Sequence, residues 1–198
     1  MPNAQTTLAA LIGSRICHDL ISPIGAINNG LELLSMSGGP DGPEMDLIGE
    51  SVGNASARIR FFRIAFGAAG EQMVGPAEII SILRDMYGAS RLDVHWKPDA
   101  PQPRAAVRLA FLATLCLETA LPYGGRVFIT EEDGAWALTG TADKMKVDPT
   151  LWAFLGAGSG HNDLQPAHVQ FALLPIIAAD ERRQVSYSAD NTAVTITF

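Results

Sequence analysis

The chain has 198 residues, of which 47% are hydrophobic and 18% are charged, so it is long enough for one or two domains and too apolar for intrinsic disorder. Its 14 Lys and Arg residues against 21 Asp and Glu residues give a net charge of −7, which argues against nucleic acid or an anionic membrane as the main partner. Cys17 and Cys116 form neither a CxxC pair nor a zinc motif, so we expect no disulfide framework and a cytoplasmic location. Neither an export signal nor an apolar stretch of the ~20 residues that a membrane-spanning helix needs is visible.

Two long helical patterns flank the Gly- and Pro-rich segment 37–43. Apolar residues recur three or four positions apart over residues 8–34 and again over residues 45–66, which predicts two amphipathic helices, the first spanning about residues 6–36. The segment between them is typical of a tight connection, so the helices should form an antiparallel hairpin. Because one hairpin cannot cover both apolar stripes, we expect a homodimer in which two hairpins form a four-helix bundle.

The Gly-rich segment 67–75 changes the pattern and predicts a domain boundary, with a helical hairpin at residues 1–70 and a second domain at residues 71–198. The elements expected after it are a helix at 76–87, a strand at 92–96, a loop at 98–103, a helix at about 105–120, a hairpin of strands 126–130 and 135–139, a helix at 165–179 and a closing hairpin of strands 184–187 and 192–198. Helices mixed with mainly antiparallel strands predict an α+β fold, with the second domain an α/β sandwich.

His18 is predicted to lie on the exposed side of the first helix. At 100° per residue it lies about 200° from both Ile16 and Leu20 of the apolar stripe. Its neighbours on that outer face are Ser14, Arg15, Ser22 and Gly25. Most of them are small, so little shields the imidazole from an incoming surface. The spacing alone favours an ordinary solvated histidine.

The string His18-Asp19-Leu20-Ile21-Ser22-Pro23-Ile24 resembles the phosphoacceptor motif of sensor histidine kinases, which lies on the first helix of their dimerisation and phosphotransfer hairpin. The resemblance implies that His18 carries a phosphoryl group, that Asp19 accepts a proton and makes the ring more nucleophilic, and that Ser22 orients water during dephosphorylation. Neutral imidazole is a good nucleophile near pH 7. Adjacent helical positions do not face each other, so Asp19 either reaches round to His18 or stays on the surface.

The resemblance also implies that a receiver domain packs beside His18. The residues expected to contact such a partner are Ser14, Arg15, Ile21, Pro23, Gly25, Asn29, Arg58 and Arg63. We place Arg58, Arg60 and Arg63 at about the height of His18 on the second helix, where they would steady phosphoryl oxygens or acidic partner residues. Alternatively, they are solvated cations near a helix C-terminus.

The second half resembles the ATP-binding domain of the same kinases in the order of its elements but lacks that domain's ligands. Thr119 stands where the magnesium-binding Asn belongs, and Pro122 replaces a Lys. Segment 137–142 lacks the carboxylate that should recognise adenine, and the Gly-rich segment 156–160 lacks the Lys-Ser/Thr of a phosphate-binding loop. We expect the latter to be a flexible loop. The remaining histidines are expected to be structural or solvated: His95, His161 and His168.

An intact phosphoacceptor motif beside an ATP-binding domain without its ligands resembles the dimeric histidine phosphotransferases of alphaproteobacterial phosphorelays. The resemblance implies that His18 accepts a phosphoryl group from the receiver aspartate of a hybrid histidine kinase and passes it to response regulators. It also implies that this chain binds no cofactor and that the receiver supplies Mg²⁺. The alternatives are an ATP-dependent histidine kinase, a non-catalytic dimeric scaffold or kinase inhibitor, and a receiver phosphatase acting through Ser22.

Overall fold

The chain opens with two long helices that pack along each other. The computed structural model describes residues 4–37, 43–68, 70–156 and 164–198. Helix α1 comprises Ala4–Ser37 and is helical through Pro23, and helix α2 comprises Pro43–Ala65. Asp19 approaches Arg58, and Ala26 lines a cleft with Leu47, so later positions of α1 meet earlier positions of α2. The predicted antiparallel hairpin is confirmed, and its predicted connection lies outside the described residues.

The second half consists of a mixed sheet and helices that pack on it. Its elements are, in chain order, β1 (Met73–Val74), α3 (Pro76–Tyr87), β2 (Leu92–Trp96), β3 (Gln102–Pro103), α4 (Arg104–Ala120), β4 (Gly125–Glu132), β5 (Ala135–Thr141), α5 (Pro149–Trp152), α6 (Val169–Asp180), β6 (Ser186–Ala189) and β7 (Ala193–Thr197). The main sheet has the order β2-β4-β5-β7-β6, with β2 parallel to β4 and the other neighbours antiparallel. The predicted α+β class is confirmed.

Short elements account for the departures from the prediction. The segment expected to be a loop at 98–103 ends in β3, which pairs with β1, and the last long helix begins at Val169 after a 3-10 turn. Two-residue strands contain too few positions to show a period. Helix α5 was missed although its start has a sequence signal: the Asp148 side chain accepts hydrogen bonds from the backbone N–H groups of Thr150 and Leu151, at 2.9 and 3.4 Å.

Helix α4 occupies the centre of the core. It is buried almost without interruption from Ala106 to Leu117 and packs against β4, β5, β7, α2 and α6. This burial explains why its sequence is apolar on nearly every side, since a helix covered all round needs no polar face.

The base of the hairpin belongs to the same core. Phe61 of α2 is fully buried, stacks on Phe111 of α4 with ring centroids 4.5 Å apart, and meets Tyr87 of α3 edge-on. From α1, Leu8 and Ile16 also pack against this core. The sequence predicts that a partner hairpin covers the apolar stripe of α1, and in the structure α1 also contacts the turn Pro166–His168 and α6 of the second half.

No helix in the described part of the chain is both long enough and apolar enough to cross a membrane. The domain boundary near residue 70 stays a prediction, although the core shared by α2, α3 and α4 shows that the two halves pack together.

Candidate functional site: an exposed histidine beside a buried carboxylate

His18 projects from α1 into solvent. Its side chain is 81% exposed, and its Nδ1 atom lies 3.1 Å from Oδ1 of Asp19. Ser14, Ile21 and Ser22, on the same side of the helix, are also exposed. The imidazole is therefore open to another protein on one side and engaged by a carboxylate on the other.

Asp19 is held in place by two arginines. Its side chain is only 10% exposed, with Nε of Arg15 at 2.7 Å and Nη1 of Arg58 at 3.9 Å from Oδ2. The geometry selects the first of the two alternatives for Asp19, because the carboxylate does reach the ring of the adjacent residue. An ionised carboxylate only accepts hydrogen bonds, so Nδ1 carries the proton and Nε2 keeps its lone pair. A nucleophilic nitrogen is thus directed away from Asp19.

The arginines differ from the expected arrangement. Among the three on α2, Arg58 approaches Asp19, whereas Arg60 donates to Asp85 of α3 at 2.6 Å. Residues that are two positions apart in a helix point about 200° apart around its axis, so Arg58 and Arg60 have to lie on different sides of α2. The side chain of Arg63 is exposed, and its carbonyl accepts a hydrogen bond from Arg104. The expectation that all three arginines serve the histidine is therefore wrong for Arg60.

Two residues expected to face a partner are turned inward. Arg15 is only 14% exposed and also donates to the carbonyl of Ala167, in the turn before α6. Pro23 is buried, beside a cleft that it lines with Ser51 of α2. Gly25 is half-buried, and Asn29 is exposed. That any of these residues contacts a partner stays a prediction.

Glu118 of α4 is a member of this cluster that sequence reasoning missed. Burial raises the pKa of its carboxyl; Arg15 and Arg58 oppose that rise, and the charge of Asp19 adds to it. The hydroxyl of Tyr87 is buried without a hydrogen bond of standard geometry, and burial, reinforced by the charge of Glu118, raises its pKa. The available signal was that Glu118 is the one carboxylate in a helix of apolar residues. Two cations and two anions thus lie together where the hairpin meets the second half: Arg15, Arg58, Asp19 and Glu118.

Thr119, expected to stand at the position of a magnesium-binding Asn, makes hydrogen bonds inside the protein. The Thr119 hydroxyl donates to the carbonyl of Leu115 at 3.1 Å and accepts from Nε2 of Gln170 at 3.4 Å. Gln170 is fully buried. The hydroxyl is therefore engaged within the protein.

His95 and His168, the other histidines in the described part of the chain, have surroundings of their own. Nε2 of His95 is 2.8 Å from Asp93, and its ring stacks on Phe128. Burial and the neighbouring Arg15 lower the pKa of His168. His161 and most of the Gly-rich segment lie outside the described residues. Within residues 4–37, 43–68, 70–156 and 164–198, no group of three or more His, Cys, Asp or Glu side chains could hold a metal ion.

Comparison with known proteins connects both halves of the chain to phosphotransferases. The sequence model of the family described as histidine phosphotransferase C-terminal domain matches residues 76–193. Protein phosphotransferase ChpT of Brucella abortus (strain 2308) is 33% identical over 198 residues, covering 96% of this chain and 93% of that protein. The solved structure of a bacterial phosphotransferase superposes with a TM-score of 0.81 at 32% identity, covering 100% of this chain and 97% of that one. The similarity thus includes the hairpin as well as the second half.

Proposed function

The chain belongs to the histidine phosphotransferase family, and from that premise we propose that His18 is the residue that carries the phosphoryl group. The enzymatic activity of the protein is that of a phosphotransferase in a phosphorelay. The observation that carries the assignment to His18 is its exposed imidazole, whose Nδ1 lies 3.1 Å from a carboxylate. Among the histidines in the described part of the chain, His18 combines full access with such a partner.

In the proposed reaction Nε2 of His18 attacks the phosphorus of a receiver aspartyl phosphate in line with the leaving carboxylate. An N–P bond forms, the P–O bond to the aspartate breaks, and the receiver carboxylate leaves with its negative charge. The proton stays on Nδ1, where Asp19 stabilises the positive charge that develops on the ring. The reverse step passes the phosphoryl group to the aspartate of a second receiver.

Such transfers go through a loose transition state, so catalysis consists mostly of positioning and charge neutralisation. The protein contributes Arg58, which lies within 3.9 Å of Asp19 and is one-third exposed. We propose that this chain binds no cofactor and that the receiver brings the Mg²⁺ that neutralises the phosphoryl oxygens. The hydrogen bonds that engage Thr119 support the absence of ATP use.

The proposed partners are a hybrid kinase's receiver domain as donor and response regulators as acceptors. Exposed Ile21 is one helical turn from His18, and Ser14 and Ser22 flank the imidazole without bulk. This surface offers an apolar contact beside the nucleophilic nitrogen of His18. A transient interface, which forms for the transfer and then dissociates, needs such a contact. A cytoplasmic location is part of the proposal, since Cys17 and Cys116 are both free thiols.

The proposal includes a homodimer. The part of the hairpin beyond the shared core exposes a set of apolar side chains: Ile24, Leu31, Met45, Val52 and Ile59. They continue the predicted stripes past the residues that the second half covers. A second copy of the hairpin would bury them in a four-helix bundle, and His18 would lie on the outside of that bundle.

The test uses a radiolabelled, phosphorylated receiver domain of a hybrid kinase from the same genome. Mixing it with the full chain should give a label that is stable to alkali and labile to acid. His18→Ala should abolish that label, and His95→Ala, the matched histidine control, should retain it.

Each alternative gives a different result in the same assay. A label formed from ATP alone would indicate a kinase, and labelling of His18→Ala at the wild-type level would refute the assignment. Loss of receiver phosphate without labelled chain, abolished by Ser22→Ala, would indicate a phosphatase. Phosphorelay output that survives His18→Ala in cells would indicate a scaffold.

A further inference from the structure

A groove separate from the His18 site runs between α3 and β2. It has a volume of about 460 Å³ and is lined by Ile80, Leu83, Arg84 and Tyr87 of α3 and by the segment Ser90–Lys97. We call it the α3/β2 groove.

One wall of the α3/β2 groove is the edge of a sheet. β2 ends the strand order, and its neighbour in the described part of the chain is β4. The Arg91 carbonyl accepts from the Gly125 N–H at 3.1 Å, and the Lys97 N–H donates to the Ile129 carbonyl at 3.0 Å. Because alternate residues of a strand direct their backbone groups to opposite sides, the N–H and C=O groups of Val94 and Trp96 point to the open side.

An open strand edge is a template for another strand, and proteins that leave one uncovered next to a helix can bind extended peptides there. The helical wall offers an apolar contact for such a peptide, because the exposed Ile80 lines the groove beside the buried Leu83. At the start of β2, by contrast, the Leu92 N–H is already engaged by the Ser90 hydroxyl at 3.1 Å. The free pairing positions are therefore limited to a short stretch.

The charges along the groove select the occupant. Arg84, with a side chain 75% exposed and Nε 4.0 Å from Oδ1 of Asp85, lines it together with the exposed Arg91 and Lys97. The carboxylate among the lining residues, Asp93, lies 2.8 Å from Nε2 of His95. This excess of cations contrasts with the net charge of −7 of the whole chain, and it favours an acidic ligand.

We propose that the α3/β2 groove binds an extended acidic segment of a partner protein, which adds as a strand to the edge of β2. Side chains of a strand alternate between its two faces. The set that faces α3 would therefore contact Ile80 and Arg84, and the other set would meet Arg91 and Lys97, which alternate with the buried Leu92 and Trp96. Binding at this groove leaves His18 accessible and does not depend on phosphotransfer.

The experiment measures fluorescence anisotropy of a labelled, N-acetylated octapeptide that alternates Val and Glu, titrated with the full chain. Comparison peptides alternate Val with Lys, or carry N-methyl groups on one or the other set of alternate amides of the Val-Glu peptide. We expect saturable binding of the Val-Glu peptide, no binding of the Val-Lys peptide, and at least about a tenfold loss for one of the two N-methylated forms.

Protein variants locate the site. Arg84→Glu and Lys97→Glu should each weaken binding about threefold to tenfold at low salt, whereas Lys144→Glu, an exposed lysine outside the groove, should bind as wild type. All three should retain the wild-type melting temperature. Absence of saturable binding, equal binding of the acidic and basic peptides, equal tolerance of both N-methylated forms, or equal effects of the three substitutions would each overturn the proposal.

Discussion

At the scale of single residues, the site pairs an exposed imidazole with a carboxylate that is nearly buried. The carboxylate of Asp19 is fixed by Arg15 on its own helix and by Arg58 on the neighbouring helix. Because the carboxylate cannot swing into solvent freely, the hydrogen bond to Nδ1 sets which nitrogen of His18 is nucleophilic. The reactive group is thus exposed enough to meet a partner, while contacts of the fold determine its tautomer.

Asp19→Asn tests that role. The amide keeps the size of the side chain but loses the charge that stabilises the ring, so we expect transfer from a phosphorylated receiver to His18 to slow about tenfold to a hundredfold. Single-turnover kinetics over a range of pH measure the transfer rate, with Asp143→Asn, an exposed aspartate of the second half, as the matched control. An unchanged rate would contradict the role of Asp19.

Glu118 gives a prediction about pH. Its pKa is raised in the folded protein, so its contribution favours folding below the ordinary carboxyl pKa and is lost as the pH rises through the folded-state pKa. Glu118→Gln has no such titration. Urea titrations between about pH 4 and pH 8 measure the free energy of unfolding of both proteins. The value for the variant minus the value for wild type should increase with pH. A constant or falling difference would refute the burial argument.

At the scale of elements, the orientation of α2 against α3 and α4 decides where His18 stands relative to the second half. An aromatic contact and an ion pair secure this orientation: Phe61 stacks on Phe111, and Arg60 bonds Asp85. Full burial makes the first contact the stronger one, because a pair that is partly exposed is screened by water.

Substitutions at these two contacts should differ in size. Phe61→Ala should lower the free energy of unfolding by about 3–5 kcal/mol, since it leaves a cavity between α2 and α4. Asp85→Asn should cost less than about 1 kcal/mol, as expected for a half-exposed pair. Chemical denaturation measures both, and similar losses for the two would show that the aromatic contact does not secure α2.

The periodic elements could be read from the sequence because their patterns are local. The helix Pro76–Tyr87 and the strand Leu92–Trp96 have the predicted bounds, since each contains enough residues to show its period. The pairing of β1 with β3 and the parallel pairing of β2 with β4 are contacts between distant segments. No local pattern specifies which strands meet.

At the scale of the whole molecule, the apolar stripes of the hairpin are divided between two uses. Leu8 and Ile16 pack against the core that α2 shares with the second half, whereas Val52 and Ile59 stay exposed. In the proposed dimer, a second copy of the hairpin would cover the exposed part. The same two helices would then contribute to the shared core at one end and to the four-helix bundle along the rest of their length.

Val52→Asp should therefore convert the proposed dimer into a monomer, because two copies would bury like charges facing each other. Sedimentation velocity gives the mass in solution. The control is Tyr123→Asp, an exposed aromatic outside the hairpin, which should leave the dimer intact. A wild-type chain that sediments as a monomer, or a Val52→Asp variant that stays a dimer, would refute the bundle.

The sequence by itself determined the two long helices and the outward position of His18, because each depends on residue type and on spacing within one segment. Only the tertiary structure decided that Asp19 turns toward His18, that Arg60 turns away, and that Glu118 joins the cluster from α4. Those three outcomes depend on which helix faces meet and on how their charges balance. Contacts between segments far apart in the chain determine which faces meet and how the charges balance, and the periodicity within one segment does not specify such contacts.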